Sequence, residues 1–249
     1  MNRLYDYLLI LGDNPLILGH RLSELTGHGP SLETDIALGN FALDLFGQVR
    51  NWFQYAAEVH GESKTEDDIA FLRYEHEYRC ALLTEQPNKD FAWVIARQFY
   101  FDAFHHDLLE GLAGSKDERI AAIAAKSIKE VSYHRRFSSE WVKRLGDGTE
   151  ESQRRMQEAI NHFALYTGEF FQDSPVETEM AAAGIGVLPS SLLQGVTAFT
   201  NEVLQEAGLE IPAELSFQRG GKDGIHSEHL GYILAELQYM QRAYPGMQW

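Results

Sequence analysis

The sequence predicts an all-α fold. Apolar residues recur at steps of three and four over long stretches, no stretch of useful length alternates with period two, and helix caps and stops punctuate the pattern. Over 249 residues, 44% apolar and 12% aromatic content is enough for a substantial core. With no internal repeat, low-complexity tract or Pro/Ser-rich linker, one domain spanning 1–249 is expected.

Leu4, Leu8, Leu11, Leu18, Leu22 and Leu25 set the first helix. Pro15 should kink or restart it, and Gly27 with Gly29-Pro30 stops it. A second helix follows Ser31 as cap and runs to about Gly61, with the seam Leu38, Phe41, Leu45, Gln48, Trp52, Tyr55 and Val59. A charged connector around Glu62 leads to a third helix from Ile69 to about Glu85, ended by Gln86-Pro87-Asn88. Asp90 caps the next, whose seam is Phe91, Ile95, Gln98, Asp102, His105, Leu109 and Leu112. Asp117 caps another, with Ile120, Ala124, Ser127, Val131, His134, Ser138, Trp141 and Leu145 inward and Gly146 and Gly148 closing it. Further helices are expected at about Glu151–Phe171, Ser190–Ala207 and Ser227–Tyr244, with Pro175 and Gly184-Ile185-Gly186 in irregular chain. Helices apolar on more than one face, around Trp52, Phe53 and Tyr55 and around Phe99, Tyr100, Phe101 and Phe104, imply burial against another helix layer or another subunit.

Composition excludes several function classes. The single Cys80 rules out an intramolecular disulfide and a cysteine-based zinc site. The start Met1-Asn2-Arg3-Leu4-Tyr5-Asp6 has no signal-peptide apolar run, and no stretch approaches a membrane span, so a cytoplasmic protein is expected. A formal charge of −16 argues against nucleic acid and anionic membrane as partners.

The seams point to a degenerate metal centre. A di-iron carboxylate bundle needs inward acids on two helices and Glu-x-x-His on two others, because residues i and i+3 share a face and clamp one metal pair. At matching depth these helices offer Asn14 or Asp13, then Leu45-x-x-Gln48, Asp102, and Val131-x-x-His134. Two acids have become aliphatic and one imidazole an amide. A shift of one position would put Glu130 with His134, about 40° apart on the helix, yet the second helix would still supply no histidine.

Other histidines have plainer readings. His105, beside His106 in an aromatic run, reads as a surface or hydrogen-bonded residue, and His134 as an interior histidine paired with Asp102 or Glu130. His226-x-x-His229 has ligand spacing, but with Ser227 at a helix start capping is the expected use. The loop Arg219-Gly220-Gly221-Lys222-Asp223-Gly224 offers cations and glycine backbone that can cradle a phosphate, for example of CoA, or simply turn the chain. No nucleophile elbow or nucleotide glycine fingerprint occurs.

Several ordered motifs carry a family resemblance. Leu11-Gly12-Asp13-Asn14, Leu43-Asp44-Leu45-Phe46-Gly47-Gln48-Val49-Arg50-Asn51, Glu85-Gln86-Pro87-Asn88, Lys129-Glu130-Val131-Ser132-Tyr133-His134 and Arg144-Leu145-Gly146-Asp147-Gly148-Thr149 are five of them. Gly220-Gly221-Lys222-Asp223-Gly224-Ile225-His226-Ser227-Glu228-His229-Leu230-Gly231 is another. Together they resemble the structural subunits of bacterial phenylacetyl-CoA epoxidases, and the likeness runs to Gln248-Trp249. The resemblance implies a ferritin-like four-helix bundle with additional C-terminal helices. It implies no cofactor in this subunit and pairing with a di-iron catalytic subunit that epoxidises the ring of phenylacetyl-CoA with O2. Electrons would come from NADPH through a reductase carrying FAD and an iron–sulfur centre; the reductase and other small subunits are further expected partners. The catalytic relatives read Asp-Glu-x-Gly-His where this chain has Asp44-Leu45-Phe46-Gly47-Gln48. They read Glu-Glu-x-x-His where it has Glu130-Val131-Ser132-Tyr133-His134. Leu45, Gln48 and Val131 then mark lost ligand positions and Asp102 and His134 retained ones, while Arg219, Gly220, Gly221 and Lys222 are candidate phosphate, CoA or partner contacts.

A non-catalytic scaffold subunit is the leading expectation. The alternatives are an active di-iron oxygenase built on Glu130, His134, Asp102 and acids of the first helices, and a helical bundle that binds a small molecule.

Overall fold

A computed structural model describes every residue except Met1, Asn2, Glu62, 214–216, Gln248 and Trp249, so the first residue of the charged connector and the last two of the family likeness lie outside the described residues. The fold is all-α, with ten α-helices and no strand among the described residues. None of these helices is long and apolar enough to cross a membrane. The chain forms two compact units, one from Met1–Pro87 with Gly220–Trp249, the other from Asn88–Arg219.

The first unit is built on a helix hairpin, α1 (Arg3–Ser23) and α2 (Leu32–His60). Gly12 packs against the ring of Phe53 and Gly19 against Phe46, so rising numbers on α1 meet falling numbers on α2 and the pair is antiparallel. A Cβ at Gly12 would lie 2.2 Å from Phe53 Cε1, which is why glycine is required at that crossing. Ser31 caps α2 as expected: its Oγ accepts from Thr34 N–H, and Thr34 Oγ1 accepts from Ser31 N–H. The assigned α1 continues through Pro15, and its buried, almost wholly apolar interior holds it in place of the lost N–H bond.

The third helix departs from expectation. Instead of one helix from Ile69 to Glu85 there are α3 (Glu66–Phe71), a 3-10 turn at Glu75–Glu77 and α4 (Leu82–Glu85). The cause is Arg73. Its guanidinium is buried and grips Asp13 of α1 with both terminal nitrogens, Nη1 at 3.0 Å, while Nε donates to Ile69 O at 2.7 Å and Nη1 to Glu77 O at 3.2 Å. Tyr78 lies 4.1 Å and Phe53 5.4 Å from the guanidinium carbon, ring face to cation. Arg79 N–H donates to Asp13 Oδ2 at 2.8 Å and Ala81 N–H to Asn14 Oδ1 at 2.8 Å. A regular helix would commit these N–H groups to its own ladder; here they are turned toward α1. The unit is completed by α10 (Glu228–Ala243), whose Gln238 Nε2 and Arg242 Nη2 donate to the Arg73 carbonyl at 2.8 and 3.0 Å.

The second unit has its own antiparallel hairpin. In α5 (Phe91–Leu112) and α6 (Glu118–Gly146), Phe91 meets Trp141, Asp102 meets Ser138 and Asp107 meets Arg135. Asp90 and Asp117 cap the two helices as the sequence foretells. The unit continues through α7 (Glu150–Thr167), which passes into a 3-10 turn at Gly168–Phe171, then α8 (Pro175–Ala182) and α9 (Leu193–Glu206). Helix α5 is buried on nearly every face, so it is the centre of its unit.

Replacing Arg73 by Leu strands the Asp13 carboxylate in the core. Urea denaturation followed by circular dichroism should register a loss of about 3–5 kcal/mol, and a loss below about 1 kcal/mol would show that water reaches the site.

Candidate functional site

The expected site residues fall in both units. Leu45 and Gln48, on α2, belong to the first unit and are 0% and 1% exposed. Asp102 on α5 and Val131 and His134 on α6 belong to the second, and all three are fully buried. The α6 seam is read directly: Ser127, Val131, His134 and Ser138 are buried, while Glu130 is half-buried, so the shifted register that would pair Glu130 with His134 is not the inward one.

Asp102 is the centre of the second unit's polar interior. Gln98 Nε2 donates to its Oδ1 at 2.6 Å from one helical turn earlier, and Ser138 Oγ donates to Oδ2 at 2.9 Å from α6. Burial pushes the Asp102 pKa up to about 7, against the opposing pull of His134, Ser138, Gln98 and Arg135. His105 is a correction to the surface reading: it is buried, stacked at 4.9 Å on Phe101, and its pKa is pushed down to about 3 by burial, with His134 and His106 adding to the shift. It is a neutral imidazole at physiological pH. Gln98 Oε1 and Ser127 Oγ, both buried, have no hydrogen-bond partner among the described residues.

The acids of the first helix are committed elsewhere. Asp13 belongs to Arg73 and Arg79, and Asn14 to Ala81, which removes the contribution that an atypical di-iron set would need from α1.

A second buried polar cluster joins residues far apart in sequence. His226 Nδ1 lies 2.6 Å from Glu85 Oε1 and its Nε2 3.2 Å from Tyr78 O, so each ring nitrogen faces an oxygen acceptor. Glu85 Oε2 accepts from Ser227 N–H at 2.9 Å and from Ser227 Oγ at 2.6 Å. Cys80 Sγ lies 3.8 Å from Glu85 Oε1 and 3.9 Å from His226 Nδ1. The side chain of Ser227 therefore serves Glu85 and does not cap α10, which corrects the capping expectation. Three ligand-type groups meet here, yet the carboxyl and imidazole satisfy each other, so the cluster reads as an internal hydrogen-bonded pair. The other ligand-type group among the described residues is His106, Asp107 and Glu110; neither group contains Asp102 or His134. Sequence reasoning missed Arg73 and the Glu85–His226 pair, since nothing local marks partners 60 and 141 residues apart.

The glycine-rich loop is split between the units, Arg219 ending the second and Gly220 resuming the first. A Cβ on Gly221 would lie 2.1 Å from Cys80 O, and Gly220 holds φ at 141°, where a side chain is strained. The N–H groups of Asp223, Gly224 and Ile225 bond to the Gly220 and Gly221 carbonyls, so the turn's backbone donors point inward to its own oxygens.

Two antiparallel helix hairpins with additional C-terminal helices place the chain in the class of all-α, ferritin-like helical proteins. More narrowly, the chain belongs to the family described as phenylacetic acid catabolic protein, whose model matches residues 1–249. It is 48% identical over 249 residues to one of the subunits of the 1,2-phenylacetyl-CoA epoxidase of Escherichia coli strain K12, with 100% of each chain covered.

Because the folded-state pKa of Asp102 is raised, the folded chain holds a proton that the unfolded chain has lost between about pH 4 and pH 7. The Asp102 contribution to stability should be greatest below that window, fall by a few kcal/mol across it and level off above. Asp102→Asn should remove this slope; thermal melts of both proteins at pH 4.5, 6 and 7.5 check it, and parallel pH curves would refute it. A thiol reagent provides a separate check on the second cluster. Cys80 should react only on unfolding in the parent chain, and at least about tenfold faster in His226→Ala, where loss of the imidazole opens a void beside Cys80 and takes the partner of Glu85 Oε1.

Proposed function

We propose that this chain is a non-catalytic scaffold subunit of a multicomponent epoxidase acting on phenylacetyl-CoA, and that it works in the cytoplasm by holding and shaping a di-iron catalytic subunit. Full-length similarity to a subunit of such an enzyme supports the assembly. The observation that carries the scaffold role is chemical: fully buried hydrocarbon at Leu45 and Val131 and a buried amide at Gln48, where an iron pair requires carboxylates and imidazole.

An iron pair does not fit these side chains. Two irons call for about four carboxylates and two imidazoles. The buried faces of α5 and α6 offer one carboxyl, Asp102, already accepting from Gln98 and Ser138, and the first unit's Asp13 is neutralised by Arg73. Iron, the flavin and the iron–sulfur centre therefore belong to other subunits in this reading, and the chain's contribution to turnover is mechanical. An interior closed by hydrocarbon at Leu45 and Val131, with Asp102 held by Gln98 and Ser138, keeps its shape without a metal, which is what a permanent support for a metal-bearing partner requires.

Iron analysis tests this directly. The purified chain, expressed alone with iron supplied, should carry less than about 0.1 iron per chain, and its complex with the catalytic subunit should carry about two. Two irons on the lone chain would overturn the scaffold reading.

A further inference from the structure

Helix α2 has a second apolar face. Leu32, Ile36 and Leu43 are 71%, 54% and 67% exposed. At steps of four and seven they share one line of the helix, opposite the buried line of Leu38, Leu45 and Trp52. Scattered exposed leucines are ordinary on any surface, but a ridge along one face of a long helix is the pattern of a helix–helix contact. Gly39 and Gly47 lie on the same face with nothing within 4 Å of the position a Cβ would take, so a neighbouring backbone can approach closely there.

The ridge leads into a cavity. Arg50, seven residues beyond Leu43, continues the same line and lines the mouth of a cavity of about 460 Å³ walled by Leu16, His20, Phe46 and Phe53, with Glu66 and Asp67 on its flank. Burial lowers the His20 pKa to about 4, so the imidazole inside is neutral and the pocket suits an apolar anchor.

Charge decides what covers this face. The chain carries −16; Glu33 and Asp44 flank the ridge on α2, and Glu66 and Asp67 line the cavity, where Arg50 lies 3.8 Å from Glu66 and leaves an acidic excess. A second copy would bring the same strongly negative chain against an acidic border, whereas a different subunit with a basic rim would be attracted. We propose that the Leu32–Ile36–Leu43 ridge docks an apolar helix of the catalytic partner, which seats an apolar side chain in the Phe46–Phe53 cavity and sets basic residues against the acidic border. This rests on the subunit reading and adds to it the surface and the chemistry of the partner.

The test uses the full chain, co-expressed and purified with the catalytic subunit, with native mass and affinity as readouts. Leu43→Glu and Ile36→Glu change solvent-facing positions, so each lone variant should keep the parent's helix content and melting temperature while association weakens about a hundredfold or more. Tyr239→Glu, at the exposed aromatic face of α10, should leave association unchanged. Parent-like affinity in both α2 variants would overturn the surface and leave the subunit reading standing. Loss of association in Tyr239→Glu alone would move the interface to α10 and overturn the proposal. If the parent chain itself formed no complex, the subunit reading would fail and the surface with it. A lone parent chain that is dimeric and becomes monomeric on Leu43→Glu would overturn the choice of partner in favour of a second copy.

Discussion

The first unit depends on a single electrostatic constraint: the buried Arg73 guanidinium must have an anion and an acceptor for its donors. Burial works against its charge, and Asp13 restores it, holding the arginine's pKa above its usual value. Satisfying that group shapes the surrounding chain. The segment between α3 and α4 gives up helical pairing to bring Arg73, Arg79 and Ala81 to α1. The carbonyls this frees at Leu72 and Arg73 are taken up by Gln238 and Arg242 of α10. One ion pair thus explains an interrupted helix, the path of the chain after it and the seat of the last helix.

The second unit solves the same problem of a buried carboxyl differently. Asp102 has an amide, a hydroxyl and the nearby His134 around it, and no direct arginine clasp, so desolvation wins and the group is drawn toward its protonated form near neutral pH. Neutral His105 beside it follows the same logic in reverse. Burial thus eases Asp102 and His105 toward their neutral forms, and the fully buried Val131 contributes packing.

Much of this was legible in the sequence wherever the information is local. Ser31, Asp90 and Asp117 cap the helices they precede, because capping is decided within four residues. The seams placed Leu45, Gln48, Asp102, Val131 and His134 inward because a period of three to four residues fixes which face is apolar. What escaped was long-range. Ile69 to Glu85 has helical periodicity, but that preference yields to the Arg73–Asp13 pair, and Ser227 gives up its cap to Glu85. Phosphate-cradling glycines and glycines that let backbone strands touch look alike in sequence; the 2.1 Å approach at Gly221 shows which demand that residue meets.

The discontinuous make-up of the first unit has a consequence for biogenesis. Translation delivers α1 to α4 first, then the whole second unit, and only afterwards the segment beginning at Gly220. Until that segment leaves the ribosome, Glu85 lacks His226 and Ser227, and the Arg73 carbonyl lacks Gln238. The second unit can therefore mature while the first waits with open polar groups, and the nascent chain reaches its final form from the middle outward.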